Sequence, residues 1–214
     1  TWEPSANIEG GQEVTFTATI QNNGTGPAVD TFQVDFRIGG TSIGSQQISQ
    51  ILASSESVQV SRAWTAQVGE HTIEVVADSA GQVAESDETN NNLSQSLPSV
   101  QDATPPELVD TSPADGIRIQ QVTVILITLL DRYGGTVDDA AVIGSISVIN
   151  GSSQPVAGTV TEANDQFTFT PDTSPLGDDT YQVSLIATDM AANSQPYSFS
   201  FTVDSQAPSK PTII

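Results

Sequence analysis

Apolar and polar residues alternate one by one along most of this chain. From Val14 to Ile20, Val14, Phe16, Ala18 and Ile20 take the even positions and Thr15, Thr17 and Thr19 the odd ones. Successive side chains of a strand point to opposite faces, so this period of two predicts a strand with one dry face and one wet, β-branched face. Phe32, Val34, Phe36 and Ile38 repeat the pattern, followed by Val58 and Val60 leading to Trp64, and then by Ile73, Val75 and Ala77. The second half continues with Val122, Val124 and Leu126, with Val142 to Ile149, with Phe167 and Phe169, with Tyr181, Val183, Leu185 and Ala187, and with Phe199, Phe201 and Val203. Helical periodicity is nearly absent.

Each run is short and bounded by Gly, Pro, Asn or Asp. Asn23-Gly24 and Asn150-Gly151 are the best turn signals, and they predict type I′ turns, in which both central residues take positive φ. Short strands at roughly 8 to 12 residue spacing are the mark of immunoglobulin-like sandwiches. The expectation is therefore all-β: two immunoglobulin-like β-sandwiches in tandem. The boundary falls near Pro98 to Pro106, a proline-bearing stretch with almost no large apolar residues. This predicts a domain over 1–100, a second over 101–207, and a linker to a following module over 208–214. The linker reading rests on a recurrence: Asp102-Ala103-Thr104-Pro105-Pro106 before the second domain, and Asp204-Ser205-Gln206-Ala207-Pro208-Ser209-Lys210-Pro211 after its last strand. Prolines fix φ and remove backbone donors, so such a linker is stiff and extends neither sheet.

Charge narrows the partners. The 214 residues carry 26 acids against 5 bases, a formal charge of −21. The split is even, with 12 acids and 2 bases in residues 1–100 and 14 acids and 3 bases in the rest, so neither half is an acidic tail. Such a chain repels phosphate, which argues against nucleic acid and anionic lipid as partners and favours cations. The absence of cysteine removes disulfides, thiolate chemistry and iron–sulfur clusters. It leaves the compartment open, because domains of this size fold without staples even outside the cell. No apolar run reaches the roughly 18 residues needed to span a bilayer. The opening Thr1-Trp2-Glu3-Pro4 is unlike a signal peptide and lacks an initiating methionine, and it reads as the start of a segment from a longer protein.

Several strings carry a family likeness. Gln21-Asn22-Asn23-Gly24-Thr25-Gly26, then Trp64-Thr65-Ala66 with Gly69 and His71-Thr72-Ile73, and Asp78 followed by Glu85-Ser86-Asp87-Glu88-Thr89-Asn90-Asn91 resemble the CARDB family over about residues 5 to 97. These are bacterial extracellular modules named for a link to cell adhesion. Asp102 to Pro106, Pro113-Ala114-Asp115-Gly116, Thr168-Phe169-Thr170-Pro171, Gly177-Asp178-Asp179-Thr180-Tyr181, Thr188-Asp189-Met190-Ala191-Ala192-Asn193 and Phe201-Thr202-Val203-Asp204 resemble a bacterial immunoglobulin-like (Big) repeat. Ala192 stands where such repeats commonly have Gly. The resemblance implies architecture more than activity, since many functions share this fold.

The sharpest candidate site is the acidic loop of the first half. If Asp78 ends a strand and the chain returns through Gly81 to a strand near Leu93, then Glu85, Asp87, Glu88, Asn90 and Asn91 come back towards Asp78. Calcium takes roughly six to eight oxygen ligands and tolerates irregular geometry, so it is the ion this set suits. The plainer reading is that the carboxylates are solvated and the Asn residues cap turns. A second grouping, Asp102, Asp131, Asp189, Asn193 and Asp204, sits at strand ends or linkers, where it could hold an ion or simply terminate strands.

Catalysis has little support. His71 shares parity with Ile73, Val75 and Ala77 and reads as a hydrogen-bonded packing residue. There is no nucleophile elbow, zinc-binding histidine pair or Walker loop. Trp64 falls in a core period, Tyr181 reads as a tyrosine corner, and Arg62 as a stem covering a sheet edge, so no planar sugar platform emerges. The formal glycosylation triplets at Asn23, Asn92 and Asn150 are at most surface markers. The reading is a non-enzymatic, calcium-binding pair of modules on the bacterial cell surface or secreted, serving as spacer or adhesion segment. Its partners would be neighbouring modules of the same polypeptide and a cell-surface or polysaccharide ligand. The alternatives are accessory modules of a secreted hydrolase, or a subunit of a surface filament.

Overall fold

The computed structural model describes residues 1–206; the linker expected over 208–214 lies outside the described residues. The chain divides into two compact units, Thr1–Asp102 and Ala103–Ile214.

In the first unit the strands are β1 (Trp2–Glu3), β2 (Glu13–Gln21), β3 (Phe32–Ile38), β4 (Thr41–Ile48), β5 (Ser57–Thr65), β6 (Thr72–Val76) and β7 (Asn92–Ser96). They form two antiparallel sheets, β1-β2-β5 and β4-β3-β6-β7. The alternation decides which face turns inward. Val14 and Phe16 of β2 are buried while Glu13 and Thr15 are exposed, and Phe32, Val34 and Phe36 of β3 meet them from the other sheet. Burying each such side chain contributes about 1.5–3 kcal/mol, so these rows hold the sheets face to face. Residues near Pro98 are tied to this unit: Val100 is buried and exchanges backbone hydrogen bonds with Gly69, and Gln101 donates to the Ile8 carbonyl.

Trp64 is half-buried against this core, its ring 6.2 Å from Phe16 and edge-on to His71 at 5.0 Å. His71 Nε2 lies 2.7 Å from the Gln67 carbonyl, as a packing histidine should. Arg62 of β5 reaches β4, where Nη2 donates to the Ser45 carbonyl and the guanidinium covers Gly44. A Cβ at Gly44 would lie 3.0 Å from that guanidinium, and its φ of +130° is a further reason for glycine.

The second unit contains β8 (Glu107–Ser112), β9 (Arg118–Ile119), β10 (Ile125–Leu130), a 3-10 turn at Arg132–Gly134, α1 (Asp139–Ser145), β11 (Ser147–Ile149), β12 (Gly158–Ala163), β13 (Gln166–Pro171), β14 (Asp179–Thr188) and β15 (Ser194–Val203). Its sheets run β12-β13-β10-β8 and β11-β14-β15-β9. Ile125, Ile127, Phe167 and Phe169 on one sheet face Val183, Leu185, Phe199 and Phe201 on the other. Tyr181 stacks on Phe201 at 5.5 Å and its hydroxyl donates to the Gly177 carbonyl at 3.0 Å, the hydrogen bond expected of a tyrosine corner.

Two local expectations are corrected. Val142 lies on α1, and only Ser147–Ile149 of that run is a strand. The Asp138 side chain accepts from the Ala141 backbone N–H at 3.0 Å, capping a helix that turns Val142 inward. The Asn-Gly pairs are not type I′ turns, since none of their four residues has positive φ. Asn22 organises the first loop, its Oδ1 accepting from Gly24 N and its Nδ2 donating to the Gly26 and Leu52 carbonyls, as the chain crosses from β2 in one sheet to β3 in the other. Asn150 Oδ1 likewise accepts from Ser152 N and Gln154 N, and the positive φ falls on Ser153. Asn164 and Asp165 make the tight two-residue turn, at φ of 55° and 59°, between β12 and β13.

Candidate metal-binding loop

The loop joining β6 to β7 begins with Asp78, which takes φ of 44° and is 8% exposed. Its carboxylate accepts from Gln82 N at 2.7 Å and Val83 N at 2.9 Å, folding the chain back over the strand end. Ala77 N donates to the Asn91 carbonyl, which returns the far end of the loop to β6 and starts β7. Between these anchors Glu85 N donates to Glu88 Oε1 at 3.0 Å, and Asn91 Nδ2 donates to Glu85 Oε2. Asp78, Glu85 and Glu88 each present a carboxylate oxygen within 4.8 Å of the others.

The other three candidates divide. Asp87 turns to Thr89, accepting from its N–H at 2.9 Å and its hydroxyl at 2.6 Å, and the Thr89 hydroxyl bond holds the Asp87 carboxyl below its ordinary range. It is therefore a turn cap outside the trio. Asn91 braces Glu85, and Asn90 lines the adjacent cleft. No cation of this unit's own chain answers the trio. Arg37 bonds Asp35 and Glu74, and Arg62 is spent on Ser45. At Asp35 burial opposes ionisation, but the hydrogen bonds from Ser42 and Arg37 outweigh it and the carboxyl sits below its ordinary value.

In the second unit Asp131 and Asp189 approach each other, with carboxylate oxygens within 4.8 Å. Asp189 is 1% exposed and accepts from Asn193 N and Nδ2, both at 2.8 Å, closing the loop between β14 and β15. Ala192 takes φ of +69° there, filling the left-handed position that a glycine would occupy without strain. Asp131 lies over Gly135, where a Cβ would overlap its carboxylate. Asp102 is the last residue of the first unit. Asp204 does not share this end of the sandwich. It follows Val203, the partner of Asp179 at the start of β14, whereas Asp189 follows Thr188 at the strand's end, a separation of roughly 30 Å at about 3.4 Å per residue. Asp204 instead pairs with Arg118.

A third group escaped the sequence reading. Asp139 on α1, Glu162 on β12 and Asp165 in the tight turn bring carboxylate oxygens within 4.8 Å. Burial, then the charges of Glu162, Asp165 and Asp138, push the Asp139 carboxyl above its ordinary value. Asn164-Asp165 between two alternating runs was the available signal, since a two-residue turn sets Glu162 beside Asp165.

The CARDB family model matches residues 1–95, and the bacterial Ig-like domain model matches residues 102–203. The chain is a CARDB domain followed by a bacterial Ig-like domain. Both are non-catalytic module families typical of bacterial extracellular, surface or adhesion-type proteins. Among the described residues, no helix is long and apolar enough to cross a membrane. No curated protein matches the chain. Among solved structures it is similar to the methionine-rich copper resistance protein PcoC from Escherichia coli, at 18% identity over 47% of this chain and 100% of that one, with a TM-score of 0.41. It is similar to CopC from Methylosinus trichosporium OB3b at 20% identity, 46% and 93% coverage and a TM-score of 0.39. It is also similar to the CARDB domain of the PF1109 protein from Pyrococcus furiosus, in complex with di-metal ions, at 23% identity, 44% and 82% coverage and a TM-score of 0.39. Copper resistance and di-metal binding are properties of those proteins.

Proposed function

We propose that this CARDB and Ig-like pair is a non-enzymatic, calcium-binding spacer or adhesion segment of a larger bacterial surface or secreted protein. The observation that carries the calcium reading is the convergence of Asp78, Glu85 and Glu88 on one loop without a basic partner. Three like charges at that separation repel by about 0.9 kcal/mol per pair even at the dielectric constant of water, and a divalent cation reverses the sign. The donors are all oxygen, which suits a hard ion and gives no preference to copper or zinc. Asp78 is anchored to β6 while Glu85 and Glu88 belong to the returning loop, so an ion held by all three would lock loop to sandwich. Neighbouring modules of the same polypeptide are the natural partners of a spacer, and an adhesion role would add a cell-surface or polysaccharide ligand.

Calorimetric titration of calcium into the wild type and into a Glu85→Gln/Glu88→Gln variant tests this. The expected result is saturable binding that weakens at least about tenfold in the variant, the equivalent of 1.4 kcal/mol. Equal binding by the two proteins, or none by the wild type, would contradict it.

A further inference from the structure

The first sandwich is covered along one side and open along the other. On the covered side Arg62 bridges β5 to β4. On the open side β1 pairs only Trp2 with Phe16 and Glu3 with Thr15, and Thr1 exchanges two backbone hydrogen bonds with Thr17. Backbone groups of alternate residues point to the same edge of a strand, so Thr19 and Gln21 aim their N–H and C=O groups where Thr17 does. Among the described residues no strand continues β1 beside them.

The side chains record the same gap. Along the inward row of β2, Val14 and Phe16 are buried, but Ala18 and Ile20 are only half-covered. Across from them Val75 and Val83 are half-exposed and Leu93 of β7 is 60% exposed. Between the walls lies a cleft of about 1030 Å³ whose charged side chains are all acidic, namely Asp78, Glu85 and Asp87. These acids sit at the Gln21 end, because β3 begins at Phe32 just after the β2 loop and Ser79 N donates to the Gln33 carbonyl.

We propose that this cleft docks an extended polypeptide strand of a partner protein, added antiparallel to β2 along the line of β1. Ala18 to Gln21 offer about 14 Å of edge, enough for four residues in register. Unpaired amide and carbonyl groups at the spacing of a ladder select a peptide backbone over a sugar or an acyl chain. The half-covered apolar row selects alternate apolar side chains. The acidic end selects Lys or Arg at the strand's N-terminal residue, which fixes its direction. This goes beyond the calcium reading and does not depend on it.

The test uses the synthetic peptide Lys-Val-Thr-Val-Thr-Val with the full chain in EGTA, so that the metal reading cannot decide the result. Amide exchange read by NMR is expected to slow at least about tenfold at Thr19 and Gln21, in a saturable manner. A peptide with Glu in place of Lys should bind several-fold more weakly. Thr19→Pro, which removes one edge donor at a position where a sheet tolerates proline, should abolish the protection. Leu93→Gln, an exposed change on the opposite wall, should weaken binding at an unchanged melting temperature, so the idea stays testable if the proline variant misfolds. Unprotected Thr19 and Gln21 amides, equal binding of the two peptides, or protection that grows with protein concentration alone would overturn the proposal; the last result would make a second copy the occupant.

Discussion

Replacing Asp78 with Ala separates what its carboxylate does for the fold from what it does for an ion. The side chain is 8% exposed and accepts two backbone hydrogen bonds, from Gln82 at 2.7 Å and Val83 at 2.9 Å. Hydrogen bonds to a charged group contribute about 1.5–3 kcal/mol each, and both donors would be stranded together, so a total cost of about 2–4 kcal/mol is expected. In a domain of this size each kcal/mol moves the melting temperature by roughly 4–8 °C, which places the first transition at least about 10 °C lower. The assay is thermal unfolding followed by circular dichroism in EGTA, where no ion contributes. Asp78→Asn keeps one acceptor oxygen and should fall between. If Asp78→Ala melts with the wild type in EGTA, the carboxylate does not hold the loop and the geometry assigned to the site is wrong.

Two further outcomes follow from the second unit. Tyr181→Phe keeps the stack on Phe201 but removes the hydrogen bond to Gly177, at a cost of about 1 kcal/mol, and an unchanged second melting transition would refute the corner. Asp139→Asn should raise stability at neutral pH and lose that advantage in acid. The Asp139 carboxyl is pushed above its ordinary value in the fold, so the stability linked to its protonated form is fully present below about 3.8 and is lost as pH rises through the higher folded value. Melting curves over that range check the sign, and a benefit that grew on acidification would refute it.

The alternation of Val14 to Ile20 and of Tyr181 to Ala187 was enough to place strands, because a half-buried sheet leaves a period of two in any sequence that forms it. The same logic misled at Val142, where an apolar residue faces the core from a helix capped by Asp138, a local hydrogen bond that periodicity does not register. Asn23-Gly24 and Asn150-Gly151 misled for a related reason. The preceding or first Asn organises each loop through its side chain, so no residue of either pair needs positive φ. At the acidic loop the return of the chain to Asp78 was legible, since Asp78 and Leu93 bracket it. The turning of Asp87 onto Thr89 was not, because two neighbouring carboxylates look alike until the backbone between them is known. Asp204 joined the wrong group because strand ends look equivalent in a sequence, and only the pairing of Asp179 with Val203 shows which end it occupies.

Thermal unfolding of the full chain in calcium and in EGTA tests most directly whether the gathered carboxylates hold an ion. An ion bound only by the folded state adds about 2.7 kcal/mol at a hundredfold excess over its dissociation constant, so the transition of the first unit should rise by about 10 °C or more in calcium while that of a Glu85→Gln/Glu88→Gln variant moves far less. Superimposable melts of the wild-type chain in the two buffers would contradict the account.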